Sequence, residues 1–241
     1  MIIPDEAVKY ILFQRTEYLL SMKSPLLNRF VIRVPSRIYN LAVTLEAMLT
    51  KPRVKRLFHE DMEGEYAILK PYLPEHARTI LDIGCGVAGI DVLLDQHYRA
   101  KGQVVDICLL DKTEMPKIVY YGLEQNGCYY NSLAVAKAML VDNGAGPDHI
   151  FLQEDRDDHA IDFKRKFDLV LSLISWGFHY PVTTYLDQVY NLLKPDGILI
   201  LDVRKDSGGV EQIERKFGNA KIIHEAQKYM RVMTRKCAHK Y

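Results

Sequence analysis

Two hydrophobic rhythms divide this chain. Up to about residue 75, apolar residues return every three or four positions. Val8, Ile11, Leu12, Leu19 and Leu20 mark residues 5–22, and Ile38, Leu41, Leu45, Met48 and Leu49 mark residues 36–50. That spacing lines up one face of a helix, so helices are predicted there, with an amphipathic third over 59–74. From residue 78 the rhythm changes. Apolar runs of strand length at 78–83, 104–110, 149–152, 167–173 and 198–203 alternate with amphipathic stretches at 90–100, 132–141, 185–193 and 210–217. Asn143-Gly144 stops the second of these stretches. Segments 220–226 and 229–234 read as a closing hairpin. Strands alternating with helices require a largely parallel sheet covered on both faces, so the fold class is α/β, doubly wound, with seven strands. The chain is expected to divide into a helical cap over residues 1–75 and a core over 76–241. Residues 112–131 break the alternation. They hold the turn signal Asn126-Gly127 and are predicted to form a small inserted hairpin above the strand ends.

The first strand ends in Leu81-Asp82-Ile83-Gly84-Cys85-Gly86-Val87-Ala88-Gly89. Gly84, Gly86 and Gly89 have the G-x-G-x-x-G spacing of a nucleotide loop: one glycine for the turn, one for approach to a ligand, one for helix packing on the strand. Alone this spacing is weak evidence. Asp82 sharpens it. A dinucleotide pyrophosphate is anionic, whereas an acid beside the loop suits a cofactor carrying an amine or sulfonium. Asp111 closes the second strand, where an acid accepts hydrogen bonds from ribose hydroxyls. Asp106 lies too early in that strand to compete.

Taken with Phe167-Asp168-Leu169-Val170 and with Leu192-Leu193-Lys194-Pro195-Asp196-Gly197 before the next strand, the loop resembles that of class I S-adenosylmethionine-dependent methyltransferases. The resemblance runs from about residue 78 onward and leaves the first 75 residues uncovered. It implies a Rossmann-like sheet with an antiparallel last strand, S-adenosylmethionine as cofactor, and methyl transfer. Asp82, Gly84 and Gly86 are expected at the methionine end, with Cys85 and Gly89 completing the cofactor loop, Asp111 at the ribose, and Glu154 or Asp155, with Asp155 ahead, at the adenine. Ser172 joins the expected cofactor set.

The stretch after the fourth strand, Ser175-Trp176-Gly177-Phe178-His179-Tyr180-Pro181, holds the only Trp of the chain. It lacks the Asn/Asp-Pro-Pro-Tyr run of many amino and nucleic-acid N-methyltransferases, which argues against a base amino group as acceptor. Together with Tyr129-Tyr130-Asn131-Ser132-Leu133 it is similar to stretches of sugar O-methyltransferases. The expected substrate is a small hydroxylated molecule held by Trp176, Tyr180 and Tyr130, with His179 as the base, since imidazole exchanges protons near neutral pH.

Composition narrows the alternatives. Net charge is +1 and 48% of residues are hydrophobic, so nothing global calls for nucleic acid or an anionic membrane. The segment up to residue 56 is more basic, with ten cations against four acids. That keeps an RNA methyltransferase as the second reading. A non-catalytic cofactor-binding protein is the third, and Asp82 disfavours an NAD-linked oxidoreductase. Four scattered cysteines give neither a disulfide pattern nor metal-ligand spacing, and no metal is expected. Neither a membrane span nor a basic-then-apolar leader is read from the sequence, so a cytoplasmic setting is expected.

Overall fold

The computed structural model describes residues 1–20, 36–113 and 131–237. Helix α1 (Ala7–Gln14) is followed by a single 3-10 turn, so the predicted helix over 5–22 is interrupted at Arg15. The two helices predicted over 36–50 and 59–74 are one continuous α2 (Ser36–Leu69) with Pro52 inside it. An interior proline costs about 3 kcal/mol in a helix. Tertiary contacts carry the helix through. Val54, Phe58, Met62 and Leu69 are buried in the same hydrophobic core as Val8, Ile11 and Leu12 of α1. Lys51 and Lys55 both reach Asp5, and Arg53 donates to the Tyr18 carbonyl at 2.6 Å.

The core runs β1 (Thr79–Ile83), α3 (Gly89–Arg99), β2 (Asp106–Asp111), α4 (Leu133–Asp142), β3 (Ile150–Glu154), β4 (Phe167–Ser172), β5 (Ser175–Tyr180), α5 (Leu186–Leu192), β6 (Leu193–Arg204), α6 (Gly209–Phe217), β7 (Lys221–Glu225) and β8 (Tyr229–Arg235). The seven-stranded sheet has the order β3-β2-β1-β4-β6-β8-β7. All pairs are parallel except those of β8 with β6 and β7. β8 thus inserts between β6 and β7, the expected antiparallel last strand. β5, unforeseen in the sequence, lies outside this order. Nearly all of the predicted inserted hairpin over 112–131 falls outside the described residues, Tyr130 included.

Successive strand residues go to opposite faces, and both faces are buried. Ile80, Ile107, Leu109, Leu169 and Ile200 meet α1 to α4; Leu81, Cys108, Leu110, Val170 and Leu199 meet α5 and α6. Strand order reverses at β1, with β2 on one side and β4 on the other. In open α/β sheets this switch point, at the carboxyl ends of the strands, is where ligands bind. Among the described residues no helix is long and apolar enough to cross a membrane.

Candidate active site

The loop after β1 turns through Gly84 (φ +78°) and Gly86 (φ +56°), a backbone region that side chains rarely adopt. The Gly84 N–H donates to the Leu110 carbonyl at 2.7 Å, and the Gly86 N–H to Asp111 Oδ2 at 2.8 Å. Asp111 Oδ1 accepts from its neighbour Lys112 N–H at 2.7 Å. Asp111 therefore ties the end of β2 to the glycine loop. It keeps a solvent-facing edge, and burial raises its carboxyl above the usual range despite the two N–H donors.

The space around each glycine departs from the reading of the loop alone. A side chain at Gly84 would strike Ser175, and one at Gly86 would press on the amide of Gln14 from α1. A side chain at Gly89 would strike Phe58 and Met62, so this glycine admits α2 against the start of α3, rather than α3 against the strand. Cys85 is buried, and burial followed by the neighbouring carboxyls pushes its thiol up, which leaves it unreactive.

A narrow cleft opens beside the loop, lined among others by Gly84, Asp111, Asp155, Trp176, Tyr180 and Tyr185. Trp176 is wholly buried, with its Nε1 donating to the Val182 carbonyl at 2.9 Å. Its edge forms part of the wall. Asp155 accepts from the Tyr185 hydroxyl at 2.8 Å and faces His159 Nδ1 at 3.1 Å, while His159 packs edge-on against Tyr180. Glu154, by contrast, accepts the Thr113 N–H and stands outside the lining. Ser172 is committed to backbone. Its hydroxyl donates to the Ile83 carbonyl at 2.5 Å and accepts the Trp176 N–H at 3.0 Å, bracing the β4–β5 turn beside β1. His179 is exposed at the end of β5, outside the lining and next to Phe178, over whose ring Arg204 stacks at 4.3 Å. Packing against its inner edge, then Arg204, lowers its pKa from 6.5.

Sequence reasoning passed over Tyr185, His159, Asp91 and Gln14. Only His159 carried a local signal, lying four residues after Asp155 in the loop beyond β3.

Beneath the loop, Asp82 and Asp91 are 2% and 0% exposed, and Asp82 Oδ1 and both Asp91 oxygens lack a hydrogen-bond partner. Burial, then Asp91, holds the Asp82 carboxyl well up, and burial raises Asp91 to about 7. Between 3.8 and those values the folded state binds more protons than the unfolded chain, so stability falls as pH rises through the window. Ligand-free protein is expected to melt a few degrees higher at pH 6.5 than at pH 8, from about 1 kcal/mol at Asp91 with Asp82 acting in the same direction. Below pH 6.5 the trend weakens, because burial lowers the pKa of His97, which then prefers the unfolded chain when charged. A melting temperature that stays level or falls from pH 8 to 6.5 would contradict this. Uncompensated buried acids beside a glycine turn, with a strand-end acid at the cleft, fit a ligand bearing positive charge at one end and a ribose at the other.

The same residues fall within a known family model. A model described as a methyltransferase domain matches residues 32–237, most of the chain. The chain belongs to that family. It is a class I, S-adenosylmethionine-dependent methyltransferase. Solved methyltransferases share the fold at low identity. One from Pyrococcus furiosus is 14% identical, covering 73% of this chain and 83% of that one, with a TM-score of 0.51. A Listeria monocytogenes protein described as a class I S-adenosylmethionine-dependent methyltransferase is 12% identical, covers 99% and 90%, and has a TM-score of 0.50. The StiE O-methyltransferase segment 961–1257 is 15% identical, covers 74% of each chain, and has a TM-score of 0.51. At these identities the likeness speaks for the fold alone. No curated protein matches the chain.

Proposed function

We propose that this methyltransferase acts on the hydroxyl of a small molecule, with His179 as the base. The observation that carries the reading is the aromatic wall of the cleft, Trp176, Tyr180 and Tyr185, beside Asp111 and Asp155. Apolar walls exclude water from a charged sulfur, and a narrow cleft suits a small acceptor better than a polymer. The cofactor supplies a methyl group already activated by positive sulfur. The protein's part is then to position and to deprotonate. In this reading Asp82 and the glycine loop hold the methionine end, Asp111 takes the ribose hydroxyls and Asp155 the adenine amino group. His179, outside the lining and with its pKa lowered by burial and Arg204, accepts the proton of an acceptor that extends beyond the cleft. Residues 1–75 act as the cap, with Gln14 over Gly86.

Among the described residues, the RNA reading loses support from the use of its cations. Lys51 and Lys55 are paired with Asp5, Arg15 with Asp61, and Arg53 is spent on a carbonyl. The test is calorimetric titration with S-adenosylhomocysteine, with NAD and a short RNA at low salt as controls, followed by a screen of hydroxylated acceptors. Binding of the first ligand alone is expected. With an acceptor in hand, His179→Ala should lower kcat at least about 100-fold with the affinity for S-adenosylhomocysteine unchanged. The acid limb of the wild-type profile should fall below about 6.5. Equal kcat in the variant would remove His179 from the chemistry.

A further inference from the structure

The carboxyls of Asp82 and Asp91 are brought together by two elements. Asp82 leaves β1 on the face that α3 covers, and Asp91, in the first turn of α3, meets it there. Both are shut off from water, and neither takes part in an ion pair among the described residues. Two adjacent buried carboxyls cannot both ionise at little cost, so the resting pair holds a proton. The titratable groups facing it are Asp111 from β2 and the Cys85 thiol from the loop. From α2 the neighbours of the loop at Gly89 are Phe58 and Met62, and from α1 the neighbour at Gly86 is the neutral Gln14 amide. None of these is a cation. Beside the pair, Asn131, 3% exposed, faces Asp111 and counters the effect of burial on its carboxyl.

Resting on the reading of this loop as the cofactor's methionine subsite, we propose that Asp91 is a second cofactor-binding carboxylate, and that the Asp82–Asp91 pair exchanges its shared proton for the cofactor's α-ammonium group. Before binding, the pair carries one negative charge and one proton. As the ammonium arrives, both groups become carboxylates and the proton passes to the buffer; no covalent bond to carbon changes. Asp82 alone supplies one acceptor charge, and Asp91 doubles it at the moment the cation is present to stabilise it. A ligand with the same adenosine but no amino-acid end gains nothing from the pair.

The experiment is calorimetric titration of the full chain with S-adenosylhomocysteine at pH 6.5, in buffers of different ionisation enthalpy. The heat is expected to vary linearly with that enthalpy, with a slope near one proton released. Affinity should rise with pH by up to about tenfold per unit below the pair's titration. 5′-Methylthioadenosine, which keeps the nucleoside and the thioether but lacks the ammonium, should release clearly less, the remainder coming from Asp111 at the ribose. Asp91→Asn should bind more weakly and with a buffer dependence reduced to that of methylthioadenosine. A wild-type protein that binds S-adenosylhomocysteine with buffer-independent heat overturns the exchange. So does equal proton release by methylthioadenosine, which would assign the proton to Asp111. Failure of wild type to bind S-adenosylhomocysteine in any buffer overturns the subsite reading itself, and the proposal with it. The wild-type series decides the matter even where the variant does not fold.

Discussion

Replacing Asp202 by alanine is expected to lower the melting temperature by about 10 °C, from a loss of about 3–5 kcal/mol. Asp202 and Arg231 are both wholly buried, and their bond is two-pronged, at 2.7 and 2.8 Å. Arg231 also reaches Glu65 of α2. On its other side Asp202 Oδ2 accepts the Ile174 N–H at 3.1 Å. Ile174 holds φ at +52°, a costly conformation for a β-branched residue. One carboxylate therefore balances a buried guanidinium and restrains a strained turn between β4 and β5. Without it, Arg231 keeps its charge in the core with only Glu65 to answer it. Adding Arg231→Met to Asp202→Ala should recover part of the melting temperature, because removing both charges is far less costly than stranding one. The double variant should still bind cofactor poorly, since the Ile174 N–H remains unpaired and the turn also sets Ser175 against Gly84. Thermal melts of the two variants decide this. A single variant within about 2 °C of wild type would mean that water or Glu65 already satisfies Arg231.

The second large effect is on ligand affinity. Asp111→Ala should weaken S-adenosylhomocysteine binding about 100- to 1,000-fold, measured by calorimetry, with little change in melting temperature. Each charge-assisted hydrogen bond to a ribose hydroxyl contributes about 1.5–3 kcal/mol. The side chain also holds the loop through the Gly86 N–H. Stability should change little, because the carboxyl removed is one whose ionisation burial opposes. Asp111→Asn, which retains one acceptor oxygen, should fall between. Affinity within threefold of wild type in Asp111→Ala would show that the strand-end acid serves the loop and not a ribose.

Much of this was legible in the chain, and for a local reason. The alternation of strands and helices rests on hydrophobic spacing within windows of five to fifteen residues. The helix start at Ser132 rests on a hydroxyl that accepts the Val135 N–H three residues on. The place of Asp111 at a strand end follows from where the apolar run stops. β5 was not legible, since residues 175–180 lie outside the pairing order of the main sheet and nothing imposes a clean alternation on them. Nor was the continuity of α2 through Pro52, where local propensity argued for a break and burial of Val54, Phe58 and Met62 prevailed.

The sequence by itself determined the order of elements, the doubly wound sheet, the glycine loop and the acids that border it. These depend on periodicity and turn chemistry, which short stretches of chain carry. Only the tertiary structure decided that Asp91 faces Asp82, that Tyr185 and His159 converge on Asp155, and that Glu65 meets Arg231 across 166 residues. Those pairings depend on how turns and elements pack on a common sheet, whether the partners are four residues apart or 166. Packing fixes which polar groups are cut off from water together, and that shared burial sets their charge.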